Sequence, residues 1–300
     1  MNVHRLASSA TVQAPAKLNL FFEVLARRND GYHEIESLMV PISLCDTLVA
    51  TLNSSGAISL NCQWADPADA STALGVLPPA AENLATRAAQ LLRTRAGIEQ
   101  GLAMTLIKRI PSAAGLGGGS SDAAAALLAA NELWNTGWSR TALAELGAEL
   151  GSDIPFFLGS GAAVCRGRGE LIEPVAGLIP LHFVVVRPPE GLSTALVYRA
   201  CQVASEPRRV EPLVESLRSG DARGLKNHIH NRLRPAAEGL SPWVARVGRE
   251  LSEQDCLATE MSGSGTGYFG ICRHARHAAR VARRLRARGL GRVYAASTSS

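Results

Sequence analysis

A chain of 300 residues has room for two domains, or one large one, around a sizeable buried core. With 46% apolar and 19% charged residues it is neither disordered nor strongly charged. The net charge of +5 rests on residues 273–292, which carry eight arginines and no acid, so the remainder is formally acidic and a basic surface over the whole molecule is excluded.

The first third reads as β-rich. Thr11–Leu25, Ser37–Leu44, Thr47–Leu52 and Ala57–Asn61 have strand composition, with a turn at Asn29-Asp30-Gly31. Leu84, Ala88, Leu91 and Leu92 give Asn83–Arg95 helical spacing, and Leu102–Ile110 is a strand that Pro111 ends. A glycine-rich stretch leads into an alanine-rich helix from about Ser121 to Trp134. Ser139 is a suitable N-cap for a helix ending near Gly151. Beyond Gly159-Ser160-Gly161, strands are expected at Ala162–Arg166 and His182–Arg187, and helices at Ser193–Ala200, Glu211–Arg218, Asp221–His230 and Pro242–Ser252. Cys256–Met261 and Tyr268–Cys272 are short strands around a second glycine cluster. An arginine-rich helix follows, with Ala278, Val281, Ala282 and Leu285 on one face, then a last strand at Arg292–Ala295. Strands and helices come in blocks, which favours an α+β class over a doubly wound parallel sheet, divided into residues 1–160 and 161–300.

Six scattered cysteines without a C-x-x-C suit a reducing cytoplasm, and no apolar run suggests a signal peptide or a membrane span. His228, His230, His274 and His277 read as surface histidines. The arginine helix reads as a solvated amphipathic surface rather than a nucleic-acid or membrane contact, because no aromatics interleave with it. Only three of the 31 basic residues are lysines. Lys108 and Lys226 read as surface lysines, Lys108 near the glycine loop, and each of the three raises the question of what arginine could not do there.

Four segments carry chemistry. Pro111-Ser112-Ala113-Ala114-Gly115-Leu116-Gly117-Gly118-Gly119-Ser120-Ser121-Asp122 lies between a strand and a helix. Its glycines let backbone N–H groups converge on an anion, the helix N-terminus adds unpaired donors, and Ser120 and Ser121 put hydroxyls at the mouth. It lacks the lysine of a Walker A loop and the spacing of a Rossmann fingerprint. Lys17 and Asn19 share one face of the first strand and form a donor pair for a phosphate or hydroxyl; alone, Lys17 would pass for an exposed strand lysine. Asp153, before Pro155, is either a capping or turn aspartate or a partly desolvated carboxylate. Met261-Ser262-Gly263-Ser264-Gly265-Thr266-Gly267 is either a tight hairpin or a loop that closes over a ligand.

In this order the segments resemble the sequence motifs of the GHMP kinases. The triple glycine Gly117-Gly118-Gly119, with Asp30-Gly31-Tyr32-His33, resembles the branch that phosphorylates the 2-hydroxyl of 4-diphosphocytidyl-2-C-methyl-D-erythritol in non-mevalonate isoprenoid-precursor synthesis. The resemblance covers nearly the whole chain. It implies a two-domain fold: an N-terminal ATP-binding β/α domain, a C-terminal ferredoxin-like α/β sandwich, and a cleft between them. It makes Asp153 the acid–base residue and Lys17 the catalytic lysine, and gives the glycine loop from Pro111 to Ser121 to ATP. Asn19, Tyr32, His33, Thr194, Tyr198, Gly263, Ser264 and Gly265 fall to the substrate, with Tyr32 and His33 at its cytosine. ATP and Mg²⁺ are the implied cofactors, with no metal ligand identified. A small cytidine-diphosphate substrate is the implied partner, without nucleic acid or membrane, for a cytoplasmic monomer or weak dimer. The alternatives are another GHMP kinase, acting on homoserine, mevalonate or a sugar, and a non-catalytic nucleotide- or RNA-binding module of the same fold.

Overall fold

The computed structural model describes residues 1–66 and 76–299, and in it the β-rich opening becomes one long antiparallel ribbon. β1 (Val3–Arg5) pairs with β2 (Ser9–Arg27), and β2 with β3 (His33–Asn53). β4 (Ile58–Trp64), α1 (Leu84–Ala96) and β5 (Gly101–Lys108) follow, with β5 antiparallel to β3 and parallel to β4. After α2 (Gly118–Trp134), α3 (Arg140–Ala148) and α4 (Ile154–Leu158), the strands β6 (Ala163–Gly167) and β7 (Leu171–Pro174) return to this sheet, β6 against β3.

The second half alternates β8 (His182–Arg187), α5 (Thr194–Ala200), α6 (Glu211–Ser219), α7 (Ala222–His228) and β9 (His230–Asn231). It ends with α8 (Arg234–Leu240), α9 (Pro242–Ser252), β10 (Ala258–Met261), β11 (Tyr268–Cys272), α10 (Ala275–Arg286) and β12 (Arg292–Ser297). A four-stranded antiparallel sheet runs β10-β11-β8-β12, whereas β9 crosses back to pair with β2. This is the α+β arrangement of two sheet-and-helix units. Residue 160 falls between α4 and β6, and β6, β7 and β9 all rejoin the first sheet beyond it.

α2 is buried almost all round, from Ser121 through Ala130. Its alanine run follows from that position, because small side chains let a central helix lie close to β2, β3 and α1. On α10, Ala278, Val281, Ala282 and Leu285 are buried as their spacing requires, with the arginines outward. The N–H of Ala142 donates to Ser139 Oγ, which makes Ser139 the expected cap. Among the described residues no helix is long and apolar enough to cross a membrane.

Some expectations need correction. The apparent break at Cys45-Asp46 lies inside one continuous strand, with Cys45 paired to Pro15 and Asp46 to Ala14; the irregularity is a bulge just before it, at Ser43-Leu44, between the Pro15 and Ala16 pairings. α2 begins at Gly118, ahead of Ser121, because the loop glycines enter the first helical turn. The apolar run after Asp153 is the short helix α4, with Pro155 in its first turn. The segment Asp221–His230 is only partly helical, since His230–Asn231 is recruited as β9. His277 is no surface residue: it is 1% exposed, and its Nδ1 accepts the N–H of Arg273 beneath α10. Lys108 is also buried, for reasons that belong to the site.

Candidate active site

β5 delivers the chain to Pro111, and the loop that follows enters α2 through Gly117 in a left-handed conformation. No side chain caps the N-terminus of α2, so its first N–H groups stay available to an anion. The loop from Pro111 to Ser120, together with Lys108 and Asp122, lines a cavity of about 400 Å³. Ser120 faces this cavity. Ser121 does not: it is fully buried and its Oγ has no partner, so only one of the two expected hydroxyls stands at the mouth.

Lys17 and Asn19 project from β2 on one face, as alternation requires, and both are buried. Lys17 Nζ donates to Asn19 Oδ1 and lies 3.6 Å from Asp153 Oδ2. Asn19 is fully engaged within the chain. Its N–H donates to Ser262 Oγ at 3.2 Å and its Nδ2 to Ser37 Oγ at 2.8 Å, which fixes the amide that holds Lys17. Asp153 occupies the N-cap position of α4 but makes no capping hydrogen bond, so its carboxylate is left to Lys17 and to solvent.

The loop from Ser262 to Gly267 joins the antiparallel strands β10 and β11 and lies against the first glycine loop, backbone to backbone. Ser262 Oγ donates to the Gly115 carbonyl at 3.0 Å, and the N–H of Gly267 donates to the Ala114 carbonyl at 3.1 Å. A Cβ on Gly265 would overlap the main chain of Ala114 and Gly115, and one on Gly115 would overlap the Ser262 carbonyl. Only glycine permits this approach. Gly265→Ala is therefore expected to push the loops apart, costing about 1–3 kcal/mol of stability and raising the KM for ATP. Thermal melts and ATP titrations check it, and an unchanged KM would show that the contact is dispensable.

A second cavity, of about 750 Å³, is lined by Tyr32, His33, Thr194 and Tyr198 with Arg27, Arg168 and Ser152 among its other walls. Tyr32 is 54% exposed and the Arg168 guanidinium lies 4.9 Å from its ring centroid. The His33 and Tyr198 rings are 5.0 Å apart, and His33 Nε2 is buried without a hydrogen-bond partner. Burial, helped by the charge of Arg27, holds His33 below the usual histidine range, so the ring is neutral near pH 7. Thr194 Oγ1 is 2.9 Å from Ser264 Oγ, which links this cavity to the second glycine loop. Ser152, next to Asp153, lines this cavity, and a Cβ at Gly117, which lines the other, would lie 3.0 Å from Lys17 Cγ, so the Lys17–Asp153 pair adjoins residues of both. A larger opening, of about 1130 Å³, lies beside Met1, α3 and the far side of α4 and contains none of the predicted residues.

The GHMP kinases N terminal domain family matches residues 83–165 and the GHMP kinases C terminal family matches residues 213–290. The chain belongs to the GHMP kinase family. It is 44% identical to a 4-diphosphocytidyl-2-C-methyl-D-erythritol kinase of Pelotomaculum thermopropionicum, over 92% of this chain and 93% of the relative. The enzyme of that name from Shouchella clausii is 40% identical over 87% of this chain and 85% of its own. A crystal structure of 4-(cytidine 5'-diphospho)-2C-methyl-D-erythritol kinase superposes with a TM-score of 0.81 at 38% identity, covering 97% of this chain and 99% of that one. A homoserine kinase from Cytophaga hutchinsonii gives 0.73 at 19% identity, over 100% and 97%, and shares the fold. This GHMP kinase is thus an ATP-dependent small-molecule kinase of the branch that these relatives define.

Sequence reading missed several polar residues of this GHMP kinase. Lys108, expected at the surface, is 6% exposed because its ammonium is held between two buried carboxylates, Asp46 Oδ2 and Asp122 Oδ2. Asp46 Oδ1 also accepts the N–H groups of Arg109 and Ile110, so the cluster shapes the exit of β5 into the glycine loop. Asp46 comes from a distant strand and gave no local signal, whereas Asp122 stood inside the glycine motif and the rarity of lysine marked Lys108. Asn231 was also missed; its Nδ2 donates to the Met261 and Gly263 carbonyls, each at 2.8 Å, and fixes the second loop. The donor set fits a magnesium ion only modestly. Among the described residues no group of three or more His, Cys, Asp or Glu side chains converges, but Asp122 Oδ1 is unpartnered and Asp122 and Ser120 line the glycine-loop cavity. Mg²⁺ keeps several waters and takes few protein oxygens beside phosphates, which is what such a pair would offer.

Proposed function

We propose that this kinase transfers the γ-phosphoryl group of ATP to the 2-hydroxyl of 4-diphosphocytidyl-2-C-methyl-D-erythritol, giving ADP and the 2-phosphate. The observation that carries the reading is the Lys17–Asp153 pair, 3.6 Å apart, with Ser152 next to Asp153 lining the aromatic cavity and Gly117 against Lys17 lining the glycine-loop cavity. Residues 1–160 supply the glycine loop and the reacting pair, and residues 161–300 close the acceptor side through Thr194, Tyr198, Gly263, Ser264 and Gly265.

Asp153 accepts the proton of the attacking hydroxyl, within hydrogen-bond reach once the acceptor is bound. Lys17, oriented by Asn19, places its ammonium against the developing alkoxide and the transferring group. The loop N–H groups from Pro111 to Ser121 and the N-terminus of α2 hold the phosphates in line, so positioning carries most of the rate. Ser120 and Asp122 are the residues that would hold a magnesium ion, which when bound would supply neutralisation of phosphate charge. Tyr32 and Tyr198 offer ring faces to the cytosine and His33 its unpartnered Nε2. In this reading the enzyme works in the cytoplasm on small molecules, as a monomer or weak dimer, without nucleic acid or a membrane.

Two results bear on the details. The KM for the acceptor is expected to rise on acidification, at a pH below the ordinary histidine value of about 6.5, as His33 takes up a proton. In His33→Gln that step should vanish from the KM–pH profile, and a step that persists would assign the titration elsewhere. Lys17→Arg is expected to lower kcat at least about tenfold, because a broad planar fork does not fit where the ammonium stands beside Asn19 and Gly263. Stopped-time assays on the folded variant check this, and a normal rate would make the rarity of lysine a compositional accident.

The reading is tested by ADP release with Mg²⁺ and ATP against the cytidyl alcohol, homoserine, mevalonate and a hexose. Turnover of the cytidyl alcohol alone is expected. Turnover of homoserine or mevalonate in its place would overturn the acceptor assignment, and turnover of none would favour a binding module.

A further inference from the structure

Arg187 ends β8 with only 3% of its surface exposed. Among the described residues no carboxylate pairs with it, and burial pushes the guanidinium below arginine's usual range. Its partners are main-chain carbonyls. Nη1 donates to Pro188 O at 2.8 Å and Pro189 O at 3.0 Å, while Nη2 reaches Ser112 O at 3.4 Å. Nε is buried without a partner. A buried cation without an anion is costly, and packing alone is served better by an apolar side chain.

The three carbonyls lie on two different segments. Ser112 opens the glycine loop at the nucleotide cavity. Pro188 and Pro189 begin the turn that leads into α5, which carries Thr194 and Tyr198 into the other cavity. The same turn is stitched to the second glycine loop, since Thr266 Oγ1 donates to Glu190 O at 2.8 Å. It also passes close to the first loop: a Cβ on Gly191 would lie 3.1 Å from Ala113 Cβ. One planar fork reaches both segments at once, which a single ammonium nitrogen does less well.

We infer that Arg187 is a positioning residue for phosphoryl transfer: its guanidinium ties the start of the nucleotide loop to the turn that carries the acceptor-side helix, and so sets the separation of the two bound substrates. The inference rests on the functional reading above for which cavity holds which substrate. Each half-site keeps its own side chains when Arg187 is changed, so the loss falls on the step that needs both halves in register. A displacement of order 1 Å costs about 10²-fold in rate when reacting groups must align.

The test compares Arg187→Met and Arg187→Lys with the wild type, using ATP and the cytidyl alcohol. Rates are normalised to the folded fraction that binds a non-hydrolysable ATP analogue. For Arg187→Met, kcat is expected to fall about 10- to 100-fold while both KM values move less than about threefold. Arg187→Lys should recover part of kcat, because it keeps the charge but not the fork. A kcat within twofold of wild type, or a loss lying wholly in the KM for ATP, would overturn the inference. If Arg187→Met does not fold, Arg187→Lys decides alone: a kcat lowered at least threefold supports the tether and a wild-type kcat overturns it. A wild type that fails to turn over the cytidyl alcohol would count against the functional reading instead, which separates the two failures.

Discussion

Asp153→Asn is expected to lower kcat by about 10²–10⁴ and to leave the fold intact, because it removes an acid–base group without changing shape. Asp153 makes no capping hydrogen bond to α4, so the helix does not depend on its charge. Its side chain is 32% exposed and its pairing with Lys17 is long at 3.6 Å, so the carboxylate itself is not held by the fold, although Lys17, only 5% exposed, then relies on Asn19 and the new amide for its partners. Asparagine keeps the size of the side chain and can still meet Lys17, but it cannot take the proton of a hydroxyl. The ADP-release assay and a thermal melt of the same sample check both halves. A normal rate would remove Asp153 from the mechanism, and a large fall in melting temperature would make it structural.

The largest effect on stability is expected from Lys108→Met. The substitution preserves length but leaves Asp46 and Asp122, both buried, facing each other without the ammonium between them. Breaking a buried ion pair on one side costs about 3–5 kcal/mol. The pH dependence has a definite sign. Burial pushes the Asp122 carboxyl above the usual carboxylate range, against the pull of Lys108 and with help from Asp46. The folded state therefore binds a proton at pH values where the unfolded chain, titrating near about 4, does not, and the stability this group contributes declines as pH rises through its folded-state value. Without Lys108 the repulsion deepens, so the deficit of the variant should be greatest near pH 8 and should narrow near pH 5. Urea midpoints at both pH values measure it, and a deficit independent of pH would show that packing rather than charge dominates.

Most of the element order was legible because it rests on local signals. The apolar face of α10, the cap at Ser139 and the glycine loop between β5 and α2 all declare themselves within a dozen residues. The Lys17–Asp153 pair was legible as candidate chemistry, but its geometry was not: the two come from distant segments, and Lys17 alone looked like an exposed strand residue. What stayed hidden depends on tertiary approach. The stretch around Cys45-Asp46, beside a bulge at Ser43-Leu44, passed for a break because the partner strand that keeps it in the sheet lies elsewhere in the chain. Lys108 looked superficial because Asp46, one of its two carboxylates, is separated from it by 62 positions. The second glycine loop read as hairpin or ligand cover; it joins two antiparallel strands, and the loop-on-loop contact its glycines make left no local signal. Arg187 was invisible because its partners are carbonyls, which every residue possesses.

The most direct measurement is ³¹P NMR of the reaction of wild-type enzyme with ATP and the cytidyl alcohol, run beside Asp153→Asn. The wild type should produce ADP and one new phosphomonoester in equal amounts, with the cytidine diphosphate of the acceptor intact, and Asp153→Asn should produce neither at a comparable rate. Release of inorganic phosphate in place of the phosphomonoester, or cleavage of the acceptor's diphosphate, would contradict transfer to the hydroxyl at the Lys17–Asp153 pair.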